Sequence, residues 1–345
     1  MKIKITLLIF ILIYPLVVFT QGNLQFGERY AIILGGIGGQ KEFTQKYFQQ
    51  TQRMYHLLVK NLSYNPDNIY YLFEDPNLDP EKIQYQITAE NIRGVFGELS
   101  RRMKAEDQLF VFMVGHGTYD GEWSKFNIVG PDLRDLDFAQ LIETLPSQKI
   151  VLVNTASASG PFIQKLSGKN RVIITATKSG REYYETTFAD FFLEALTTEE
   201  ADVNKDKRIS VLEAFNYARS RQKAWYDENR QLKAEHPLLD DNGDGKGSQE
   251  IDMKTEGLWA NRVYLGPLSP EMATTLKRVR LGTSSRMDSL RFEVYRLEQQ
   301  IEDLKARKNQ MRSEVYFRQL ETLLVRLAKV NKELKQLEAQ ERKHR

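Results

Sequence analysis

The sequence predicts an α/β fold built on a mostly parallel sheet covered by helices on both faces, with a helical appendage after it. Short β-rich apolar runs alternate with longer stretches of helical periodicity between residues 30 and 200, as in parallel sheets whose strands are joined by helices. Val111 and Met113, like Val151 and Val153, lie in unbroken apolar runs, which strands buried on both faces require. From Met287 onward the apolar residues step three and four apart, a helical spacing. With 345 residues, 41% hydrophobic and 28% charged, the chain is globular in composition and has room for a main domain of roughly 250 residues plus an appendage.

The predicted strands are Tyr30–Leu34, Asn68–Phe73, Gln108–Val114, Lys149–Val153 and Arg171–Ala176. Helical periodicity falls on Phe43–Leu62, Ala89–Lys104, Asp137–Leu145 and Phe188–Leu196. The main domain is expected over residues 23–265, a linker over 266–285 and a helical unit over 286–340.

Ahead of the domain, Lys2 and Lys4 precede the apolar run Ile5–Phe19, and Thr20, Gln21 and Gly22 follow it. This is the pattern of a secretory signal over residues 1–22. The run contains Pro15 and is short for a helix crossing a hydrocarbon core about 30 Å thick. Export to the periplasm or the cell exterior is expected. Contact with a membrane is expected only if the segment stays uncleaved as an anchor.

The sequence holds no cysteine, which excludes disulfides, thiolate metal sites, a lipidated cysteine and a cysteine nucleophile. The net charge of +3 divides unevenly: residues 270–345 hold 18 Lys+Arg against 11 Asp+Glu, so this tail is +7 and the remainder −4. Its charges are mixed in sign and spaced as on a solvated helix, so no nucleic-acid partner is expected.

Ligands of open α/β sheets bind beyond the carboxyl ends of the strands. Gly35-Gly36-Ile37-Gly38-Gly39 ends the first strand, but Lys41 stands where a dinucleotide fingerprint needs glycine, so a tight strand-to-helix turn is expected there. The third strand ends in Gly115-His116-Gly117, and the fourth in Asn154-Thr155-Ala156-Ser157-Ala158-Ser159-Gly160. A serine beside a histidine, with the N–H groups of Gly117 and Ser157 facing a shared space, has the parts of an acyl-transfer site with an oxyanion hole.

These residues carry a resemblance. A strand ending in His-Gly followed by one ending in Ala-Cys-Glu-Ser-Gly marks the legumain branch of the caspase-fold cysteine peptidases, and the second motif here reads Ala156-Ser157-Ala158-Ser159-Gly160. Tyr30–Gly36, Tyr47–Leu62 and Asn68–Asp75 resemble that family's first strand, first helix and second strand. Ile174–Ala189 resembles the strand and loop that shape its specificity pocket, so the likeness spans about residues 28–200 in the family's order.

The resemblance implies a caspase-like three-layer αβα sandwich. It places His116 as general base or acid, Ser157 at the nucleophile position and the Gly117 N–H as oxyanion donor. Arg181, Glu182 and Glu185 fall in its specificity wall and would read a polar or charged side chain.

A thiol, with a pKa of about 8.5, ionises beside a histidine without further help. A serine hydroxyl usually needs a histidine oriented by a buried carboxylate. Asp120 and Glu122 lie near His116 in sequence. Two classes of function follow: a degenerate peptidase whose groove binds peptide or protein, or a hydrolase working through His116 and Ser157. A carboxylate within reach of His116 would separate them.

Residues 202–213 match the spacing of an EF-hand calcium loop. Asp202, Asn204, Asp206, Ser210 and Glu213 would supply side-chain oxygens and Arg208 a carbonyl, with Lys207 in the usual glycine place. Helical patterns flank the loop, the one after it being Val211–Ala234. The turn that opens at Asp240 begins the same pattern but reaches Ile251 where a bidentate glutamate belongs, so a glycine-rich surface turn is expected over 240–251.

In the C-terminal unit, Met287, Leu290, Val294, Leu297, Ile301 and Leu304 form one apolar stripe and Leu320, Leu323, Leu327, Val330, Leu334 and Leu337 another. The stripes are out of phase and the polar stretch Lys305–Arg312 divides them, which favours an antiparallel hairpin over a continuous coiled coil. Self-association or partner binding through these helices is the alternative use.

Overall fold

The computed structural model describes residues 27–266 without a break, then 275, 278, 283 and 285–344 apart from 307, 309 and 310. The apolar run of residues 1–22 lies outside the described residues. Among those described, no helix is long and apolar enough to cross a membrane.

Ten strands and eight helices are described. The strands are β1 Arg29–Gly35, β2 Ile69–Phe73, β3 Tyr85–Gln86, β4 Gln108–Val114, β5 Gly117–Tyr119, β6 Ser124–Phe126, β7 Leu133–Arg134, β8 Lys149–Asn154, β9 Arg171–Thr175 and β10 Leu238–Asp240. The helices are α1 Lys41–Lys60, α2 Ala89–Arg102, α3 Asp135–Glu143, α4 Phe162–Leu166, α5 Phe188–Ala195, α6 Val211–Glu228, α7 Arg286–Ala306 and α8 Ser313–His344.

Seven strands form one sheet in the order β10-β9-β8-β4-β1-β2-β3. Every neighbouring pair is parallel except β9 with β10, which is antiparallel. A separate three-stranded sheet, β5-β6-β7, follows β4.

Strand residues alternate between two cores, as the period of two demands. Ala31, Ile33, Phe110, Phe112, Val151, Val153, Val172 and Ile174 face the first, covered by α1, α5 and α6 through Met54, Leu58, Phe188, Phe192 and Phe215. Ile32, Leu34, Leu109, Val111, Met113, Ile150, Leu152 and Ile173 face the second, covered by α2, α3 and α4 through Phe96, Leu99, Phe138, Ile142, Phe162 and Leu166. The result is a three-layer αβα sandwich of the expected caspase-like form. Helix α2 is capped as its sequence suggests: Thr88 accepts from Asn91 N–H, and Arg101 and Arg102 close its last turn.

The five predicted strands all form. Strand β3, the β5–β7 sheet, β10 and α4 were not foreseen. Each strand of that small sheet has two or three residues, and α4 has five, too few to display a period.

In the C-terminal unit α7 and α8 run antiparallel: Arg286 at the start of α7 pairs with Glu333, and Glu293, further along α7, pairs with Arg326, earlier in α8. Leu290, Leu297, Ile301 and Leu304 of α7 are buried, while the α8 stripe from Leu320 to Leu337 is half-buried along its length.

Phe112 lies at the centre of the first core, fully buried, its ring 6.2 Å from Phe110 and 6.3 Å from Phe192. Phe112→Ala is expected to lower unfolding free energy by about 3–5 kcal/mol, read from denaturant midpoints at unchanged slope.

Candidate active site

Strands β4 and β8 are neighbours in parallel register, with Met113 opposite Asn154. The turns that follow them therefore emerge side by side at the carboxyl edge, one with His116 and Gly117, the other with Ser157.

Ser157 is 3% exposed. Its Oγ accepts a hydrogen bond from Gly117 N–H at 3.0 Å and donates to the Gly117 carbonyl oxygen at 3.1 Å. A side chain at Gly117 would put its Cβ 2.2 Å from the Ser157 carbonyl oxygen, so this close approach needs glycine. Ala158 holds a left-handed φ of +52°, uncommon for a residue with a Cβ. Two hydrogen bonds keep it there: its N–H donates to the Glu182 carbonyl at 2.7 Å, and its carbonyl accepts from Ser124 Oγ at 2.5 Å. The β5–β6 hairpin and the loop after β9 thus hold the Ser157 turn from opposite sides.

His116 lies between α1 and the same loop. Its ring meets Phe43 edge-on, centroids 4.9 Å apart, and the Tyr47 hydroxyl stands 3.2 Å from Nδ1 and 3.3 Å from Nε2. Tyr47 O–H donates to Glu185 Oε2 at 2.6 Å, and that oxygen is 3.6 Å from His116 Nδ1. Burial and the neighbouring Glu185 carboxylate push the Tyr47 hydroxyl far above the usual phenol range, so it stays a neutral donor. With its O–H donated to Glu185, the Tyr47 oxygen is left to accept from a ring N–H. Lys46 pairs with Glu185 Oε1 at 2.8 Å and holds the carboxylate in place.

His116 and Ser157 are thus brought to adjacent turns, yet among the described residues neither ring nitrogen hydrogen-bonds Ser157 Oγ. Asp120 pairs with Lys125 at 2.7 Å and accepts the N–H groups of Glu122 and Trp123, closing the hairpin turn instead of reaching His116.

The residues of the specificity wall separate into three uses. Arg181 is exposed. Glu182 accepts from Lys178 N–H at 2.9 Å and from His236 N–H at 3.1 Å, and lies 2.6 Å from His236 Nδ1. Its carboxylate is spent holding the loop. Glu185 reaches toward His116 as described. Glu235, beside His236, is buried and accepts from the N–H groups of Thr187 and Phe188 and from Tyr226 O–H. Segment 235–236 therefore clamps both ends of the loop. Tyr119, 39% exposed, stands on Gly180 of this loop, and Tyr183 and Tyr184, 64% and 61% exposed, meet at a tilt with ring centroids 4.7 Å apart.

Tyr47, Phe43, Glu235 and His236 were not foreseen. Tyr47 and Phe43 lie on the apolar stripe of α1, where an aromatic that turns its hydroxyl to a histidine has the same spacing as one that fills the core.

In loop 202–213 the oxygens are turned to backbone N–H groups. Asp202 accepts from Asp206 and Lys207, Asn204 from Asp206, and Asp206 from Arg208. Ser210 and Glu213 form a capping box at the start of α6, and Glu213 Oε1 also accepts from Val203 N–H at 3.1 Å. The Arg208 guanidinium is stacked 3.3 Å above the Tyr264 ring centroid, leaving its carbonyl to the loop. Among the described residues no group of three or more His, Cys, Asp or Glu gathers as a metal cluster.

The peptidase C13 family profile matches residues 95–233, which run from α2 past α6 and include His116 and Ser157. The chain is 30% identical over 172 residues to metacaspase-7 of Arabidopsis thaliana, covering 46% of this chain and 41% of that protein. It thus spans less than half the length of that relative. Among solved structures it is similar to protein GSU0716 of Geobacter sulfurreducens, at 9% identity and a TM-score of 0.40 over 62% of this chain and 92% of that one. Residues 95–233 are thus similar to the peptidase C13 family, and the αβα architecture around them is consistent with a caspase-like fold.

Proposed function

We propose that this domain binds a peptide or protein segment in the cleft over His116 and Ser157 without cutting it, Ser157 standing in the place of the family's cysteine. The observation that carries this reading is the closed pair between Ser157 and Gly117. The hydroxyl proton is given to the Gly117 carbonyl, and the N–H that would hold an oxyanion is given to the hydroxyl. Nucleophile and oxyanion donor satisfy each other, and His116 has no hold on the proton it would have to remove. Around the cleft, Arg181 and the exposed rings of Tyr119, Tyr183 and Tyr184 offer a cation and broad aromatic contact with few rotors to order, which suits an extended peptide.

One observation favours the second reading, a serine hydrolase. The Glu185–Tyr47–His116 chain supplies an oriented carboxylate, relayed through a hydroxyl. A rotation of the Ser157 side chain away from Gly117 is the step that reading needs.

The proposal extends to the chain's surroundings. The protein is exported, residues 1–22 being removed, and the half-buried stripe of α8 is where a partner or a second copy of the chain attaches. Loop 202–213 takes calcium, which replaces the backbone N–H groups now held by Asp202, Asp206 and Glu213.

The parent protein is expected to leave a mixed peptide pool intact over hours, read by mass spectrometry. Ser157→Cys restores a group that ionises near neutral pH. It should gain iodoacetamide reactivity and weak cleavage that His116→Ala removes. Robust turnover by the parent, lost in Ser157→Ala, would establish the hydrolase instead. Amino-terminal sequencing of the mature protein should begin near residue 23, and cytoplasmic protein starting at Met1 refutes export. Calcium at millimolar concentration should raise the melting temperature by mass action, and Glu213→Gln should remove the part due to loop 202–213. A melting curve blind to both refutes that site.

A further inference from the structure

The turn after β10 repeats the opening geometry of loop 202–213 and differs from it at its first residue. Asp240, Asn242 and Asp244 alternate along it, with Gly243 and Gly245 at φ +82° and +74°. Lys205 and Lys207 hold the matching positions of the earlier loop at φ +60° and +66°. Asn242 Oδ1 accepts from Asp244 N–H and Asp244 Oδ1 from Lys246 N–H, both at 2.8 Å. Asn204 and Asp206 do the same for Asp206 and Arg208 N–H, at 2.8 and 2.9 Å.

The difference lies at the first residue. Asp202 spends both oxygens on backbone N–H groups, at 3.1 and 2.9 Å. Asp240 gives Oδ1 to Gly243 N–H at 3.1 Å, while its Oδ2 is buried with no hydrogen-bond partner, in a residue 1% exposed. The Ser167 hydroxyl nearby accepts from Gly245 N–H at 2.9 Å. No ion pair among the described residues involves Asp240, Asp241, Asp244 or Glu256.

A buried carboxylate oxygen without a partner is costly unless something positive meets it. Asp135 also leaves one buried oxygen unpartnered, but Lys165 and Arg134 act on it. The Ser167 hydroxyl and the N–H groups of Gly243 and Gly245 act on the Asp240 carboxylate, but the charged group acting on it is Asp244, another carboxylate. Its head is held at the start of the turn by Gly243 N–H, two and four residues before the Asn242 and Asp244 side chains that alternate with it.

We propose that the turn Asp240–Lys246 is a calcium site, with Asp240 Oδ2, the Asn242 side-chain oxygen, the Asp244 carboxylate and the Lys246 carbonyl as protein ligands. A hard cation that accepts six to eight oxygens in flexible geometry suits this set, with water completing the shell. Two carboxylates without a bidentate glutamate place the affinity on the order of 10⁻⁴ to 10⁻³ M, where extracellular calcium modules work. The smaller magnesium ion, which demands near-ideal octahedral geometry and dehydrates reluctantly, fits it poorly.

The test uses the full chain carrying Glu213→Gln, or Asp206→Ala as an alternative, so that loop 202–213 is silenced whether or not it binds. Calcium chloride is titrated by calorimetry and the melting temperature followed. Heat of binding and an upward melting shift are expected, with magnesium at least tenfold weaker. Adding Asp240→Asn or Asp244→Ala should weaken calcium at least tenfold. Asp244 is exposed, so its loss leaves folding intact. Without calcium, Asp240→Asn should melt no lower than its parent, because it removes an unpaired buried charge. The absence of a calcium response in the silenced chain, or a response that survives Asp244→Ala, overturns the site.

Discussion

The parallel pairing of β1, β4 and β8, buried on both faces, is the constraint on which the rest depends. Parallel neighbours end at the same edge, so any two turns following adjacent strands meet there whatever their sequences. Ile33 opposite Phe112, and Phe112 opposite Val153, set the register. A slip of one residue would exchange the two cores and turn every inward side chain outward, so the register that fills the cores also sets His116 beside Ser157. The site's coarse geometry is a by-product of packing, and its fine geometry is the work of the surrounding turns.

Those turns are built around carboxylates. Glu182 gathers Lys178 and His236, and Glu235 gathers Thr187 and Phe188. Asp241 gathers Gly257, Trp259 and Ala260, each by its backbone N–H at 2.7–2.8 Å. Loops carry N–H groups that no ladder satisfies, and a buried acid that accepts two or three of them meets that need. Glu256 shows the limit: burial, with Asp241 beside it, pushes its carboxyl up to about 9, so at neutral pH it is a neutral partner to Asp241.

The five core strands and the long helices were legible because burial on two faces leaves unbroken apolar runs and burial on one leaves a helical stripe. Phe110, Val111, Phe112 and Met113 can be nothing else at that length. The β5–β7 sheet was not legible, since Gly117, Thr118 and Tyr119 make a strand only by pairing with residues that the chain reaches later. His116 and Ser157 were legible through glycine-flanked turns at strand ends. The carboxylate for His116 was sought nearby in sequence, at Asp120 and Glu122. It lies 69 residues beyond His116, at Glu185, and acts through Tyr47, 69 residues before it. Tertiary structure alone sets that distance.

The pair formed by Ser157 and Gly117 also bears on why the cleft keeps its shape without a thiol. A cysteine Sγ is larger and a weak hydrogen-bond donor, so a thiol in this position would leave the Gly117 carbonyl without a strong partner and its N–H open to a substrate oxygen. The smaller hydroxyl fits between the two backbone groups and satisfies both at 3.0–3.1 Å. Serine therefore ties the β5 turn to the β8 turn by two hydrogen bonds. The His116–Tyr47–Glu185 chain remains beside it as a separately satisfied unit, since Tyr47 has Glu185 for its proton and Glu185 has Lys46 for its charge. Two self-contained hydrogen-bonded units thus lie side by side at the carboxyl edge of the sheet, each held by its own partners.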